Sequence, residues 1–160
     1  MSEDEKKERI EIPVLKEYLE FNSISLDQKL LQTKVKEPAD LIYDNQGYQI
    51  TTTDGKYFGE VMSATDKYGI EDVGNRTVLR CINTNEVPEE KLKNILKKKG
   101  KRSDKNIILL IKDHLVDPFT SKEDRLRHYE KFKSSYKNLI DVWKDVYLID
   151  LNKNVIKLSD

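Results

Sequence analysis

Apolar residues change their spacing several times along this chain, and each change marks an element. Ile10, Val14, Leu15, Tyr18 and Leu19 fall at helical intervals and predict a first helix, with Pro13 either starting or kinking it. The polar residues 1 to 9 ahead of it read as frayed. Part of Leu30–Val35 reads as a strand. Ala39–Tyr43 and Tyr48–Thr53 are short β-rich runs on either side of Asp44-Asn45-Gln46-Gly47, a four-residue turn composition. Asp54-Gly55 is a second hairpin signal, predicting a strand over Lys56–Met62. Residues 63 to 76 lack periodicity and read as a loop or insertion, and Thr77–Ile82 as a strand.

The second half is more regular. Pro88 opens a helix that runs to about Lys99, with Glu89 and Glu90 in its first turn and Gly100 behind it. Asn106–Ile111, NIILLI, is a continuous apolar run of the kind that forms a buried central strand. Thr120 and Glu123 have capping-box spacing. Behind them Leu126, Tyr129, Phe132, Tyr136, Leu139, Ile140 and Trp143 predict one long helix with a face on the sheet. Val146–Ile149 and Val155–Leu158 close the chain as strands around Asn152-Lys153-Asn154. The order predicts an α/β protein with a mixed central sheet flanked by helices, one domain over 1–160 with residues 56–84 as an insertion.

Composition narrows the chemistry. The 160 residues are 36% charged and 37% hydrophobic, with 29 basic and 29 acidic side chains, so no overall charge points to nucleic acid or membrane. No apolar run approaches bilayer length, and MSEDEKKERIE is not a secretory signal. A single cysteine, Cys81, excludes a disulfide framework and suits a reducing cytoplasm. With only His114 and His128 besides, a metal would need oxygen ligands, which favours Mg²⁺ or Mn²⁺ over zinc.

The first hairpin gathers such ligands. A turn at Asp44–Gly47 pairs Tyr43 with Tyr48, which sets Asp40 against Thr51 and diagonal to Gln49. Alternation then gives one face to Asp40, Ile42, Gln49 and Thr51, and the core face to Leu41, Tyr43, Tyr48 and Ile50. Opposed residues lie about 5 Å apart and diagonal ones about 7 Å, close enough for a carboxylate and an amide oxygen to share one divalent ion.

PAD, ending at Asp40, and QIT, Gln49-Ile50-Thr51, resemble the two halves of the signature of the PD-(D/E)xK nuclease superfamily, which includes restriction endonucleases and archaeal Holliday-junction resolvases. The resemblance spans residues 5 to 115. It implies a restriction endonuclease-like core of helix, three antiparallel strands, helix and strand. It implies a metal-dependent DNA endonuclease, with Asp40 and Gln49 holding Mg²⁺ or Mn²⁺ and Glu11, Asp40, Gln49 and Thr51 as catalytic residues. Glu11 is preferred to Glu8 and Glu17 as the first helix's contribution, being one turn ahead of Leu15. A homodimer is also implied, because one domain carries one site and a duplex has two strands. Two positions depart from the pattern: Gln49 replaces the usual acid, and Thr51 the usual lysine, whose charge would position the nucleophilic water. Asp54-Gly55-Lys56 is a literal match in a second-ranked register.

Basic residues supply the complementary feature. KLKNILKKKGKRSDK, residues 91 to 105, offers Lys97, Lys98, Lys99, Lys101 and Arg102 for DNA phosphates. The same cations equally suit a solvated helix end with its negative dipole. Arg125, Arg127, Lys131, Lys133 and Lys137 would extend a basic surface. Asp113 and His114, just past the buried strand, read chiefly as an ordinary loop pair, and Cys81 has no adjacent histidine to activate it. Two rivals stand beside the nuclease: the same fold binding nucleic acid without cleaving it, and an interaction module unrelated to nucleic acid.

Overall fold

Helix formation begins at Ser2, well ahead of Ile10. Ser2 and Glu5 form a reciprocal capping box over α1 (Glu3–Lys6), so the charged residues expected to fray are helical. The helix continues through a π-helical segment, Lys7–Glu11, into α2 (Ile12–Phe21). Pro13 accounts for the change of pitch. It has no N–H to offer the preceding turn, and its ring crowds the carbonyl four residues back. The widened turn accommodates it, and Ile12 N donates to the Lys7 carbonyl.

A computed structural model describes residues 2–53, 88–113, 122–150 and 153–160. The expected Asp54-Gly55 turn, the strands at Lys56–Met62 and Thr77–Ile82, the 56–84 insertion, Cys81, His114, the Thr120 cap and Asn152 lie outside these residues. The described elements form one six-stranded mixed sheet with helices on its faces. Its strands are β1 (Leu31–Gln32), β2 (Leu41–Tyr43), β3 (Gln46–Thr52), β4 (Ile107–Lys112), β5 (Asp145–Ile149) and β6 (Val155–Lys157), ordered 1-2-3-4-5-6. β1, β2 and β3 are an antiparallel meander, β3, β4 and β5 are parallel, and β6 returns antiparallel.

The sheet buries both faces. On one, Val14, Leu15 and Leu19 of α2 pack on Leu41, Tyr43, Tyr48, Ile50, Ile108 and Leu110. On the other, Leu92 and Leu96 of α3 (Pro88–Gly100) and Phe132 of α4 (Lys122–Ser135) cover Leu109, Ile111, Val146 and Leu148. All six residues of β4 are buried, as NIILLI foretold. The long helix expected to reach Trp143 instead turns at Tyr136 and resumes as α5 (Lys137–Ile140). Ser134 Oγ donates to the Glu130 carbonyl just ahead of that break, a bond that bends helices. Ile140 and Trp143 still reach the core, but Leu126, expected on the packed face, is exposed.

The first hairpin is tighter than the sequence suggested. Asp44 (φ 47°) and Asn45 (φ 64°) make a two-residue turn, and Leu41 pairs with Tyr48, Ile42 with Gly47 and Tyr43 with Gln46. Two successive left-handed residues give the turn whose twist matches paired strands, and Asp and Asn tolerate that conformation better than most residues. Gly47 is therefore not a turn residue. It is a point of close approach, because a Cβ there would lie 2.5 Å from Ile107 Cδ1.

Candidate functional site

Register decides what faces Asp40. The observed pairing ends at Leu41 with Tyr48, so Asp40 lies just ahead of β2 and is not set against Thr51. Two bonds fix where Asp40 sits: Asp40 N donates to the Tyr48 carbonyl (2.8 Å), and Ile50 N donates to Asp40 Oδ2 (2.8 Å). Relative to the expected pairing, the strand is displaced by two positions. An even displacement leaves every side chain on its original face. Gln49 therefore remains on the side away from α2, level with Leu109, and Asp40 is held at the backbone of the next residue, Ile50. Thr51 is carried two positions along β3, beside Ile111 of β4, away from the place opposite Asp40.

Glu11 comes from the first helix, within electrostatic range of Asp40. Lys7 Nζ donates to the carbonyls of Thr33 (2.7 Å) and Asp40 (2.8 Å), which pins the π-helical segment to the chain entering β2. The Glu11 carboxyl is only 3% exposed, and its pKa is raised, first by burial and then by the negative charge of Asp40. Lys6 opposes this with Nζ 3.4 Å from Glu11 Oε1. In an α-helix, residues five apart point about 140° away from each other. The i→i+5 geometry of a π turn brings them onto one side, so the irregular pitch is what lets Lys6 meet Glu11.

Among the described residues three buried side-chain atoms have no hydrogen-bond partner, and two of them are Glu11 Oε2 and Gln49 Oε1. Both are acceptors, and the residues bearing them are 3% and 4% exposed. A buried oxygen without a donor costs about 1–3 kcal/mol, so each is a destabilising feature that a cation or a donor would relieve. Oxygen donors of this kind fit Mg²⁺ or Mn²⁺. No group of three or more His, Cys, Asp and Glu side chains among the described residues could hold a metal. The arrangement is thus two carboxylates and one amide oxygen.

The basic stretch arrives from the opposite layer. Lys99, at the end of α3, is half-buried. Burial lowers its pKa, the charge of Asp40 raises it, and Lys6, Lys98 and Arg102 lower it further. Arg102 Nη1 contacts Glu37 Oε1 at 3.0 Å, three residues ahead of Asp40. Lys97, Lys98 and Lys101 are exposed on the same helix end. Of the further basic residues, Lys137 is paired with Asp141 and Asp160.

The fold therefore places Glu11 and Lys99 within electrostatic range of Asp40, which is bonded to the backbone next to Gln49, and it moves Thr51 away from its expected place. Lys6 and Lys7 were missed because residues 1 to 9 read as frayed, although Ser2 and Glu5 already had capping-box spacing. Asp113, at the C-terminal end of β4, accepts from Thr53 Oγ1 and Tyr129 OH, each at 3.1 Å. That clasp joins two strand ends to α4. No protein-family model, curated protein or solved structure matches the chain. No helix among the described residues is long and apolar enough to cross a membrane.

Proposed function

We propose that the protein is a metal-dependent nuclease cutting DNA phosphodiester bonds, built on a restriction endonuclease-like core. The observation that carries this is the pair of buried, unpartnered oxygens Glu11 Oε2 and Gln49 Oε1, with Asp40 in electrostatic range of both Glu11 and Lys99 at the cationic end of α3. The element order supports it. A helix, an antiparallel three-strand meander, a second helix and a strand parallel to the meander's last match the core the motif resemblance implies.

Asp40 and Glu11 supply the negative charge that holds Mg²⁺ or Mn²⁺, and Gln49 adds a neutral oxygen. A divalent ion bound there lowers the pKa of a water and neutralises charge on the phosphate. Lys99, near Asp40 and held away from bulk water, supplies the positive charge that Thr51 cannot. Lys97, Lys98, Lys101 and Arg102 hold the flanking backbone through its phosphates. One domain offers one such site, so cutting both strands of a duplex calls for two copies.

Cleavage of duplex, single-stranded and branched DNA, with Mn²⁺ or with EDTA, tests this. Wild type should cut only with Mn²⁺, and Asp40→Ala should not cut. The threonine at position 51 favours one alternative, the same fold binding nucleic acid without cutting it. Salt-sensitive binding by both proteins with no cleavage by either would select that alternative. Loss of both binding and cleavage would remove the nucleic-acid function altogether.

A further inference from the structure

The acidic pair has an occupant of its own. Lys6 projects from the first helix to Glu11 and is the nearest cation to a carboxylate that is almost wholly buried. The contact is unequal. Glu11 is 3% exposed while the Lys6 side chain is 53% exposed, and the 3.4 Å separation is long for a charge-assisted hydrogen bond. Glu11 cannot leave its place, but the Lys6 ammonium can swing into water at little cost. Only Oε1 is engaged, and Oε2 has no partner.

Lys7 has no such freedom, since its ammonium is held by the carbonyls of Thr33 and Asp40. The two neighbouring lysines thus differ in kind: Lys7 is a fixed strut, and Lys6 a loose counter-ion. Lys6 also lies within electrostatic reach of Lys99, which comes from the layer across the sheet. Lys6 beside Glu11 and Lys99 within range of Asp40 therefore bring cations from two layers towards the two carboxylates.

We propose that Lys6 is a counter-ion exchanged at Glu11 for the divalent cation, and that once displaced it binds a phosphate oxygen of the nucleic acid opposite Lys99. This rests on the function proposed above and adds an order to it. Without the metal, Lys6 stays turned inward on Glu11. Metal binding turns it outward, so one more phosphate contact becomes available only when the metal is present. The protein then holds substrate best in the state that can act on it.

Calorimetric titration with Mn²⁺ alone, and anisotropy of a labelled short duplex in EDTA and in Mn²⁺, test this with Lys6→Met and Lys6→Arg. Removing a competing exposed ion pair should tighten Mn²⁺ binding by Lys6→Met about two- to five-fold. The same variant should match wild type on the duplex in EDTA. In Mn²⁺ it should bind more weakly, with a salt slope smaller by about one. Lys6→Arg should restore the metal-dependent duplex affinity. If Lys6→Met leaves Mn²⁺ affinity unchanged while Glu11→Gln abolishes it, the exchange is wrong and the metal site stands. Equal loss of duplex affinity in EDTA and in Mn²⁺ would make Lys6 a constant phosphate contact and also overturn the exchange. No Mn²⁺ binding by wild type would overturn both the exchange and the metal-dependent function.

Discussion

Glu17 and Lys112 stand 95 positions apart in the chain, yet Lys112 Nζ donates to Glu17 Oε2 at 2.7 Å. The pair joins α2 to the end of β4, and Lys112 Nζ also donates to the Asp150 carbonyl at 3.0 Å. Both side chains are largely withdrawn from water, so each charge depends on the other.

Removing one partner should therefore cost far more than removing both. Glu17→Leu leaves a buried ammonium with a single carbonyl and should destabilise by about 3 kcal/mol. Adding Lys112→Met should recover most of that loss. Urea midpoints of the two single variants and the double variant give the coupling directly. A Glu17→Leu protein as stable as wild type would show that the pair is not buried as described.

The hairpin turn makes a second prediction. Asn45 has φ 64°, where a β-branched side chain is strained. Asn45→Val should cost about 1–2 kcal/mol, whereas Asn45→Gly should be neutral or slightly stabilising. Thermal melts would separate the two. Equal effects would mean that the turn does not contain two left-handed residues. Because the turn sets the register, Asn45→Val should also weaken Mn²⁺ binding through Asp40 and Gln49.

Alkaline pH provides a third. Burial pushes the Tyr48 phenol up from 10 to about 12, with Tyr147, Tyr43 and Asp44 adding to it. Its neutral form is favoured in the fold, so the stabilisation is complete below pH 10 and is lost as pH rises from 10 towards 12. A shift of this size corresponds to about 2–3 kcal/mol. Tyr18, in ring contact with Tyr48 and Tyr147, is raised in the same sense. Tyr48→Phe should make the fall in stability above pH 10 shallower without abolishing it. Identical pH profiles for wild type and variant would remove Tyr48 from the account.

The candidate site should lower the stability of the metal-free protein. Glu11 buries a charge next to Asp40 and leaves Oε2 without a donor. Glu11→Gln keeps the shape and removes the charge, so in EDTA it should gain about 1 kcal/mol while losing Mn²⁺ binding. Stabilisation with loss of binding is the mark of a residue kept for function. A destabilised Glu11→Gln would instead make the carboxylate structural.

Much of the fold was readable because its signals are local. Pro88 with a run of lysines ahead of Gly100 marked α3, and NIILLI marked the central strand. Strict alternation assigned Leu41, Tyr43, Tyr48 and Ile50 to the core. That assignment survived a wrong turn because a two-residue displacement preserves faces. The long helix ending at Trp143 was misjudged because helical spacing continues across the break at Tyr136. Asp40 and Gln49 could be picked from the sequence as residues of one hairpin, though where Asp40 sits could not.

The sequence by itself determined which residues are apolar on which face, where most helices and strands lie, and which oxygen-bearing side chains sit on the first hairpin. Only the tertiary structure decided that Asp40 is held at the Tyr48–Ile50 backbone and not opposite Thr51. It also decided that Glu11 lies within electrostatic range of Asp40, that Lys6 meets Glu11 across a widened turn, and that Lys99 returns from the opposite layer. The division has a physical cause. Periodicity follows from bond geometry and is set within a few residues, whereas convergence of distant charges follows from how helices pack on the sheet, which no local spacing encodes.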